Sequence, residues 1–446
     1  MKTDSFYHAL TVREELCQGC TRCMRNCPTE AIRLFQGKAH VNPDKCIDCG
    51  QCMDACPYDA IVIEQDDFEK IFSYDYRVAI LPSVFIGQFD DEIPERYIYK
   101  SLLDIGFNEV YEAEFGVDIL KTIGNSFSTY ADDKPVISSY CPAIVRLIQI
   151  KYPTLVKNIN LLRPPVEITA MYIRKQLLDK GIDPQDIGIF YVTPCAAKIA
   201  QIKSPEQQKP EDIFTGVINL DYIYNLVQRN ISRNKKNLEE SSVDLPIPPL
   251  TPDAGLWSLT TGECSTVTGR TLAIDEIHNV IDFLEKLEND EIKNLDFLEL
   301  RACAGGCAGG VLNPGNRFLA KERLSHRSQS MKEITTEQEE MICKQTNYLQ
   351  HYIKRDRIEA KSVFQLDDDI SKALEKMENY QKVLAALPGI DCGLCGAPSC
   401  SALAEDISKG IADISQCAVL KLRRSGDTVA IKKVWGNSLE PHENRS

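Results

Sequence analysis

The chain has 446 residues, 43% of them hydrophobic and 26% charged, which is enough for two or three domains with sizeable cores. Its formal net charge of -14 argues against nucleic acid or an anionic membrane as a partner, because both require basic surface. No run approaches the ~18 apolar residues of a membrane span, and the N-terminus has no apolar leader, so we expect a cytoplasmic protein.

The first motif in the chain is an internal repeat of cysteines. Residues 17–28 read C-Q-G-C-T-R-C-M-R-N-C-P, and residues 46–57 read C-I-D-C-G-Q-C-M-D-A-C-P. In this spacing three thiolates hold one iron–sulfur cube, and the fourth cysteine of each run reaches the other cube. The repeat predicts two 4Fe–4S clusters, with zinc as the alternative. The two ligand sets are Cys17, Cys20, Cys23 and Cys56 for one cluster, and Cys46, Cys49, Cys52 and Cys27 for the other.

From residue 76 onward, apolar strand-like runs alternate with amphipathic helical stretches, which indicates α/β organisation with a largely parallel sheet. The predicted strands span 76–82, 134–140, 186–192, 255–260 and 295–302, and a helix covers 95–106. The polar and then proline-rich stretch 229–253 is interpreted as an insertion loop, and the charged stretch 321–362 as helical. One packing helix is predicted from apolar residues at helical spacing, namely Ile370, Leu374, Met377, Tyr380, Leu384 and Leu387.

A last group of cysteines follows that helix. Cys392, Cys395 and Cys400 lie in a glycine- and proline-rich loop, and Cys417 lies beyond a helical stretch. This group resembles the small iron–sulfur domain found in several anaerobic electron-transfer proteins. We predict a third 4Fe–4S cluster here, with zinc as the competing metal. Disulfides are a poor interpretation of all 18 cysteines, because disulfide frameworks belong to small secreted domains.

Four further cysteines come just after predicted strands: Cys141, Cys195, Cys303 and Cys307. In an open α/β sheet, ligands gather outside the carboxyl ends of the strands, so these thiols can converge on one site. The glycines of C-A-G-G-C-A-G-G (303–310) let the backbone approach a bulky cofactor. Cys264, in T-T-G-E-C-S-T, and Cys343, in a predicted helix, are interpreted as buried or inert thiols.

Three motifs around these thiols carry a family resemblance. S-Y-C-P (139–142), T-P-C-A-A-K (193–198) and E-L-R-A-C-A-G-G-C-A-G-G (299–310) resemble the signatures of iron-iron (FeFe) hydrogenases. In that family the signatures usually read T-S-C-C-P, M-P-C-x-x-K and E-x-M-x-C-x-x-G-C. The resemblance covers roughly residues 76–325, and a ferredoxin module in front of that domain is also typical of the family.

The resemblance implies an H-cluster. Its 4Fe–4S cube would be held by Cys141, Cys195, Cys303 and Cys307, with Cys307 bridging to a diiron subsite that carries carbon monoxide, cyanide and a bridging dithiolate. Lys198 matches the motif lysine and would donate a hydrogen bond to a cyanide. The implied fold is an α+β two-cluster ferredoxin module (1–72), an α/β H-cluster domain with mostly parallel sheets (73–325), a helical extension (326–387) and a small helical iron–sulfur domain (388–446).

The chain departs from the family pattern at three positions near the cofactor. Tyr140 stands where catalytic members have a proton-relaying cysteine, and a phenol has a reference pKa about 1.5 units above that of a thiol. Thr193 and Arg301 each replace a common methionine. Arg301 is interpreted either as a cation that alters the field at the subsite or as a strand-end salt bridge. The helix after F-G-V-D (115–118) also lacks the acids that continue the relay.

These departures are typical of the divergent, sensory branch of the family. The sequence therefore favours slow, reversible oxidation of H2 to protons and electrons in hydrogen sensing. Electrons would pass through the 4Fe–4S clusters to a ferredoxin or a signalling partner. The alternatives are an ordinary turnover hydrogenase, which would use Tyr140 and water as its proton route, and an iron–sulfur protein that carries only 4Fe–4S clusters for electron transfer or cluster assembly.

Overall fold

The computed structural model describes residues 6–124, 130–204, 213–240, 247–361 and 369–425. The chain divides into two compact units. The first unit comprises Met1–Ala9, Ile47–Gly50 and Ile63–Ala360, and the second comprises Leu10–Cys46, Gln51–Val62 and Lys361–Ser446. The domain boundaries expected from the sequence at residues 72, 325 and 387 remain predictions.

The cysteine repeat at the N-terminus folds into short elements separated by tight turns. In chain order they are β1 (Leu10–Val12), α1 (Arg22–Arg25), β2 (Ile32–Phe35), β3 (Lys38–Val41), α2 (Gln51–Asp54) and β4 (Ile61–Ile63). β1 pairs with β4, and β2 pairs with β3 in antiparallel register. This α+β arrangement of two pseudo-repeated halves is the ferredoxin-like module that the sequence predicts.

Two parallel sheets form the framework of the first unit. The strands are β5 (Tyr76–Leu81), β6 (Glu109–Glu112), β7 (Val136–Ile137), β8 (Ile187–Thr193), β9 (Gly216–Asn219), β10 (Thr271–Ile274) and β11 (Phe297–Leu300). One sheet has the order β6-β5-β8-β9 and the other β10-β11-β7, with every described pairing parallel. β8 is buried along its whole length, as expected for a central strand of a parallel sheet covered on both faces.

Helices connect and cover these strands. They are α3 (Ser83–Ile86), α4 (Glu95–Asp104), α5 (Phe115–Thr122), α6 (Pro142–Lys151), α7 (Pro165–Asp179), α8 (Ala196–Lys203), α9 (Leu220–Glu240), α10 (Pro252–Leu256), α11 (Ile277–Glu288), α12 (Arg317–Ser330), α13 (Thr336–Cys343) and α14 (Thr346–Tyr352). The second unit adds α15 (Ile370–Ala386), α16 (Cys400–Ser408) and α17 (Ala418–Ser425). The structure thus confirms the predicted fold class, an α/β domain between a ferredoxin-like module and a small helical domain. No described helix is both long and apolar enough to cross a membrane.

Two predictions of local structure are wrong. The stretch 255–260 is not a strand, because Pro252 occupies the first turn of α10 and the Thr251 hydroxyl caps it by accepting from the Ala254 N–H. The insertion loop expected at 229–253 is helical up to Glu240, with a kink at Asn234, because buried apolar residues at helical spacing carry α9 as far as Ile231. Residues 241–246 of that stretch lie outside the described part of the chain.

The apolar stripe after residue 370 is also only half correct. Tyr380, Leu384 and Leu387 pack into the core of the C-terminal cysteine domain. Leu374 and Met377 are instead 64% and 46% exposed, because the first half of α15 reaches beyond that core. The side chain of Ile370 lies outside the described residues. The spacing predicted the helix correctly but not how much of it is covered.

Candidate functional site

The ends of three parallel strands supply the first site. Cys141 follows β7 and directly precedes α6, and Cys195 follows β8 and directly precedes α8. Cys303 and Cys307 follow β11, in a loop that contains a short 3-10 turn at Gly306–Gly309. The turns that follow parallel strands lie at the carboxyl edge of their sheet. Four thiols from distant positions in the sequence are therefore brought to one region of the structure.

The four thiols lie close enough to influence one another. Burial, with smaller contributions from the thiols of Cys141 and Cys307, raises the pKa of Cys195 to about 12 against the opposing charge of Lys198. Burial and the thiols of Cys195, Cys141 and Cys307 likewise hold the pKa of Cys303 well above its usual range. Thiols that oppose one another's ionisation in this way ionise together when a metal compensates their charge, which is the chemistry of an iron–sulfur ligand set.

The loop around Cys307 needs its glycines. Gly306 has φ +72°, and a Cβ there would lie 2.5 Å from the carbonyl oxygen of Ser258. A Cβ at Gly310 would lie 2.6 Å from the carbonyl oxygen of Pro194. The Cys307 N–H donates to the Ser258 carbonyl at 2.8 Å. The loop is therefore held against two neighbouring backbone segments with no room for side chains.

Lys198 places a buried cation beside this thiol set. It is 5% exposed, and its Nζ lies 3.8 Å from the Sγ of Cys307 and 3.4 Å from the Tyr191 hydroxyl. Burial opposes a charge on the amine, but the facing Cys307 and Tyr140 outweigh it and raise the pKa of Lys198. Among the described residues no carboxylate pairs with it, so this ammonium suits an anionic group held by the thiols.

Arg301 is a second buried cation, and it belongs to a carboxylate network. It pairs with Glu263 (Nη2 to Oε1, 2.8 Å) and with Glu299 (Nε to Oε1, 3.2 Å). Ser138 Oγ donates to Glu263 at 2.7 Å. Burial opposes the guanidinium charge, but the two glutamates raise the pKa of Arg301. Its Nη1 is buried with no hydrogen-bond partner among the described residues, so one donor remains for a further acceptor.

Tyr140 lies between the two cations. The Nζ of Lys198 is 4.3 Å and the Cζ of Arg301 4.2 Å from the centroid of its ring, within the range of cation–π attraction. The phenol hydroxyl is 3.9 Å from the Sγ of Cys307. Burial, followed by the Cys307 thiol, holds the pKa of Tyr140 well above its usual range. The ring of Tyr140 therefore packs against two cations, and its hydroxyl stays protonated.

Thr193 acts on the thiol set through the backbone. Its side chain is fully buried, and its Oγ1 accepts from the Cys195 N–H at 3.3 Å. Thr193 therefore fixes the turn that presents Cys195. Cys264 is half-buried, donates its N–H to Glu299 at 3.0 Å, and has a pKa raised to about 12 by burial. Cys343 is exposed at the end of α13, not buried.

The sequence reasoning did not identify three buried glutamates near this site. Glu263 and Glu299 carry the Arg301 network, and only the position of Glu299 inside the E-L-R-A motif signals such a role. Glu114 precedes F-G-V-D, and burial raises its pKa to about 7. Its Oε2 accepts from the N–H and hydroxyl of Ser83, while its Oε1 has no partner among the described residues. No local pattern distinguishes Glu114 from a surface acid.

The second unit contains the other cysteines predicted to be ligands, with the exception of Cys49. Burial raises the pKa of Cys23 to about 11, and the thiols of Cys17, Cys20 and Cys56 contribute. Those four cysteines line one pocket, and Leu34 and Ala39 are among the other residues of its wall. The fourth cysteine of the second run therefore joins the first three of the first run, as the crossed spacing rule predicts.

Two further sets are brought together in the same unit. Burial raises the pKa of Cys52, with contributions from Cys46 and Cys27. Their expected fourth partner, Cys49, belongs to the first unit, where it contributes to the raised pKa of Cys303. The C-terminal set lines a second pocket, formed around Cys392, Cys395, Cys400 and Cys417. The ligand roles of all these residues remain predictions.

Three family models match the chain. Residues 76–262 match "Iron only hydrogenase large subunit, C-terminal domain", residues 9–57 match "4Fe-4S dicluster domain", and residues 387–419 match "Putative Fe-S cluster". The three matches fall on the strand-end thiols, the cysteine repeat and the C-terminal cysteine domain. Iron–sulfur domains therefore flank a hydrogenase-like domain.

Two curated proteins are similar to parts of the chain. Iron hydrogenase 1 of Clostridium pasteurianum is 24% identical over 215 residues, which are 47% of this chain and 35% of that protein. A component of an ion-translocating oxidoreductase complex of Thiobacillus denitrificans is 54% identical over 37 residues, or 8% of this chain and 20% of that protein. The chain thus spans about a third and a fifth of the lengths of these relatives.

Solved structures of [FeFe]-hydrogenases share the fold. One, from work on oxygen inactivation of the H cluster, superposes with a TM-score of 0.50 at 17% identity, covering 67% of this chain and 96% of that one. A variant of [FeFe]-hydrogenase HydA1 from Chlamydomonas reinhardtii gives a TM-score of 0.50 at 16% identity, covering 65% and 95%. Residues 76–262 are therefore similar in sequence to the iron-hydrogenase domain, and the chain shares its fold with solved [FeFe]-hydrogenases.

Proposed function

We propose that this protein binds an H-cluster and oxidises H2 reversibly at a low rate, in the service of hydrogen sensing. The observation that carries the proposal is the strand-end site itself, where cysteines that follow three strands lie beside the buried cations Lys198 and Arg301, and one Arg301 donor has no partner among the described residues. In this proposal Cys141, Cys195, Cys303 and Cys307 hold the cube. When bound, the diiron subsite supplies the open iron at which dihydrogen is made or split.

The residues around the thiols have separate tasks in this proposal. Lys198 would donate to an anionic ligand of the subsite, since its ammonium lies beside the Cys307 thiol and has no carboxylate partner among the described residues. Arg301, whose guanidinium lies over the Tyr140 ring, has one further donor, Nη1, without a partner among the described residues. Thr193 fixes the turn at Cys195. These contacts support a pocket that binds an anionic group in addition to the cube. A pocket for a cube alone would not need them.

The low rate follows from the residue before Cys141. A relay group must give up and regain a proton, and the buried phenol of Tyr140, packed against two cations, provides no thiol for that purpose. The acids expected in the helix after F-G-V-D are also absent from the sequence. We infer that proton delivery limits turnover, as suits a protein that reports on H2 rather than consumes it.

Electrons leave through the 4Fe–4S sets in this proposal. The electrons pass through the two N-terminal sets and the C-terminal set to a ferredoxin or to a separate signalling partner. The small-molecule reactants are H2 and protons. The matches to a 4Fe-4S dicluster domain and to a putative Fe–S domain support this route. The route requires no particular oligomeric state and suits any partner that accepts single electrons.

Infrared spectroscopy tests the cofactor. The full-length protein, with its clusters reconstituted, is incubated with a synthetic diiron complex, and we expect bands of carbon monoxide and cyanide to appear. Replacing Lys198 with methionine should weaken or shift the cyanide bands. An absence of all such bands in the unmodified protein would leave only the alternative of a protein that carries 4Fe–4S clusters alone.

A hydrogen assay then separates a sensor from an ordinary turnover hydrogenase. We expect Tyr140→Cys to raise the rate, because general acid–base groups contribute about 10²–10⁴-fold. The matched control Tyr140→Phe removes only the hydroxyl and should change the rate little. A large loss in the phenylalanine variant would mean that the phenol already relays protons. A rate in the unmodified protein as high as that of fast family members would contradict the sensory role.

A further inference from the structure

The C-terminal cysteine domain contacts the N-terminal cysteine repeat within the second unit, through a pair of charged contacts. Arg33 on β2 makes a two-point contact with Asp406 on α16, with Nε–Oδ2 at 2.6 Å and Nη2–Oδ1 at 3.2 Å. Lys45, next to Cys46, donates to Glu405 at 2.7 Å and is only 2% exposed. A planar guanidinium on a carboxylate and a buried ammonium with its partner fix orientation as well as distance. We call these four residues the charged clamp.

Backbone contacts join the loop that carries Cys392 and Cys395 to the repeat. The Leu34 N–H donates to the Gly396 carbonyl at 2.8 Å. A Cβ on Gly396, which has φ +87°, would lie 2.3 Å from the Leu34 carbonyl oxygen, so only glycine fits this contact. Arg25 Nη2 donates to the Cys392 carbonyl at 3.0 Å. The ligand loop itself, and not only the helices behind it, is in contact with the repeat.

The contacted part of the repeat belongs to its first cysteine set. Leu34 lines the pocket formed by Cys17, Cys20, Cys23 and Cys56. A Cβ on Gly393 would lie 3.0 Å from the Cε of Met24, the neighbour of Cys23 in α1. The loop of the C-terminal thiols therefore packs against a residue that lines the first pocket and against the neighbour of one of its cysteines.

The turn that contains Cys49 and Gly50 belongs to the first unit, as does the loop of the strand-end thiols. A Cβ on Gly50 would lie 2.6 Å from a side-chain methyl carbon of Val311, four residues beyond Cys307. The turn that carries Cys49 is thus packed directly against the loop of the strand-end thiols.

We propose that the cluster of the C-terminal set exchanges electrons directly with the cluster of Cys17, Cys20, Cys23 and Cys56, and that the charged clamp holds these two clusters next to each other. Electrons pass between the two clusters one at a time. At each step one reduced cluster loses one electron and its neighbour gains it, and no bond is made or broken.

The electrons that the route carries need one acceptor. Oxidation of one H2 releases two protons to water and two electrons, which cross the route one at a time and reduce two molecules of a one-electron carrier protein of the iron–sulfur class. The direction and the source of the electrons rest on the proposed function. The adjacency of the terminal clusters does not, and it can be measured in protein that lacks the diiron subsite.

Electron paramagnetic resonance of the full-length protein tests the adjacency. The 4Fe–4S clusters are reconstituted without the diiron complex and fully reduced. Neighbouring paramagnetic clusters broaden and split each other's signals. We expect the spectrum to differ from the sum of its parts, and Cys395→Ser, which removes the terminal cluster, to simplify the signal of the first set as well as to delete its own.

The charged clamp is tested separately, because Cys395→Ser can unfold the small domain. Asp406→Arg should remove the same part of the splitting that Cys395→Ser removes, with iron content unchanged, and the double variant that adds Arg33→Asp should restore it by reversing the pair. Lys134→Ala, which breaks an exposed ion pair with Asp296 in the first unit, is the matched control and should leave the spectrum unaltered.

Two results would overturn the inference. The spectrum of the unmodified protein can equal the sum of isolated clusters, which would mean that the terminal cluster has no close neighbour. Metal analysis can find zinc in the C-terminal set, which would end the route at the repeat. Either result leaves the infrared test of the H-cluster unaffected, whereas missing carbon monoxide and cyanide bands would leave the adjacency of the two clusters standing.

Discussion

The cysteine sites of the two units are built in opposite ways. In the second unit the ligands come from short runs such as C-x2-C-x2-C, and small glycine-containing loops shape each pocket. In the first unit the thiols come from three stretches of the chain that begin at residues 141, 195 and 303, and buried charges lie beside them. The local sites depend on spacing, whereas the strand-end site depends on the whole α/β framework. The strand-end site should therefore be sensitive to substitutions that leave every thiol in place.

Removing the guanidinium of Arg301 is expected to have the largest effect. Arg301→Met leaves Glu263 and Glu299 buried without their cation, and breaking a buried ion pair in this way costs about 3–5 kcal/mol. Urea unfolding at pH 8 measures the loss. The exposed pair of Lys134 and Asp296 provides the control, where Lys134→Ala should cost about 0–1 kcal/mol. Equal costs at both sites would contradict the contrast between buried and exposed charges.

Glu114 should make the stability of the first unit depend on pH. Burial, and then repulsion from Glu112, raises its pKa from 4.5 to about 7. Between these values the unfolded chain releases a proton that the folded chain keeps, so this contribution falls as pH rises from about 4.5 to 7. At about 1.36 kcal/mol per pKa unit, the total is on the order of 3 kcal/mol.

The variant Glu114→Gln removes this dependence. Its stability relative to the unmodified protein should therefore increase between pH 5 and pH 8, as measured by urea unfolding at both values. Glu375→Gln, on an exposed part of α15, serves as the control and should follow the unmodified protein at each pH. If the free energy of unfolding changed equally in Glu114→Gln and in the unmodified protein between pH 5 and pH 8, this carboxyl would already be ionised at pH 5.

The two adjacent glycines of C-A-G-G-C allow a comparison of two alanine substitutions, with a smaller expected loss of stability. Gly305 and Gly306 have similar φ values of +77° and +72°, but a Cβ on Gly305 meets no atom within 4 Å. Gly305→Ala should cost about 1–2 kcal/mol for its left-handed backbone alone. Gly306→Ala should cost more and lower the iron content, because its Cβ overlaps the Ser258 carbonyl. Thermal unfolding and iron analysis check both, and equal effects would mean that the loop can move away from Ser258.

The smallest effect is expected on α15. Leu374→Ser changes a side chain that is 64% exposed and should alter the free energy of unfolding by less than about 0.5 kcal/mol. Leu387→Ala, at 4% exposure in the core of the same domain, should cost about 2–5 kcal/mol. Chemical denaturation followed by helix content distinguishes the two. A large cost at Leu374 would indicate that something covers this face in solution.

The sequence was informative about the fold and the thiols because their signals are local or periodic. The strands at β5, β8 and β11 and the helix at α4 follow from apolar runs, and Cys141, Cys195 and Cys303 were correctly placed after strands. The stretch 255–260 misled because an apolar run of that length fits either a strand or a short helix. The proline and threonine in front of it were the deciding signals.

The charges around the thiols were harder to predict. Arg301 was noticed only because it replaces a methionine of the family pattern, and its partner Glu263 lies 38 residues earlier with no periodic link to it. Attention in that stretch went to Cys264, whereas the neighbouring carboxylate makes the contact. Side-chain pairings over such separations depend on the packed framework, which spacing rules do not describe.

The way the chain alternates between its two units has a consequence for its ancestry. Met1–Ala9 and Ile47–Gly50 belong to the first unit, while the segments Leu10–Cys46 and Gln51–Val62 belong to the second. Tyr7 donates its N–H to Ser204, and Ala9 donates its N–H to Asp48. A gene fusion at one point joins modules end to end, but here the chain returns to the first unit between two segments of the second. Replacement of residues 10–62 by another electron-carrying module would therefore also remove Ile47–Gly50 from the first unit.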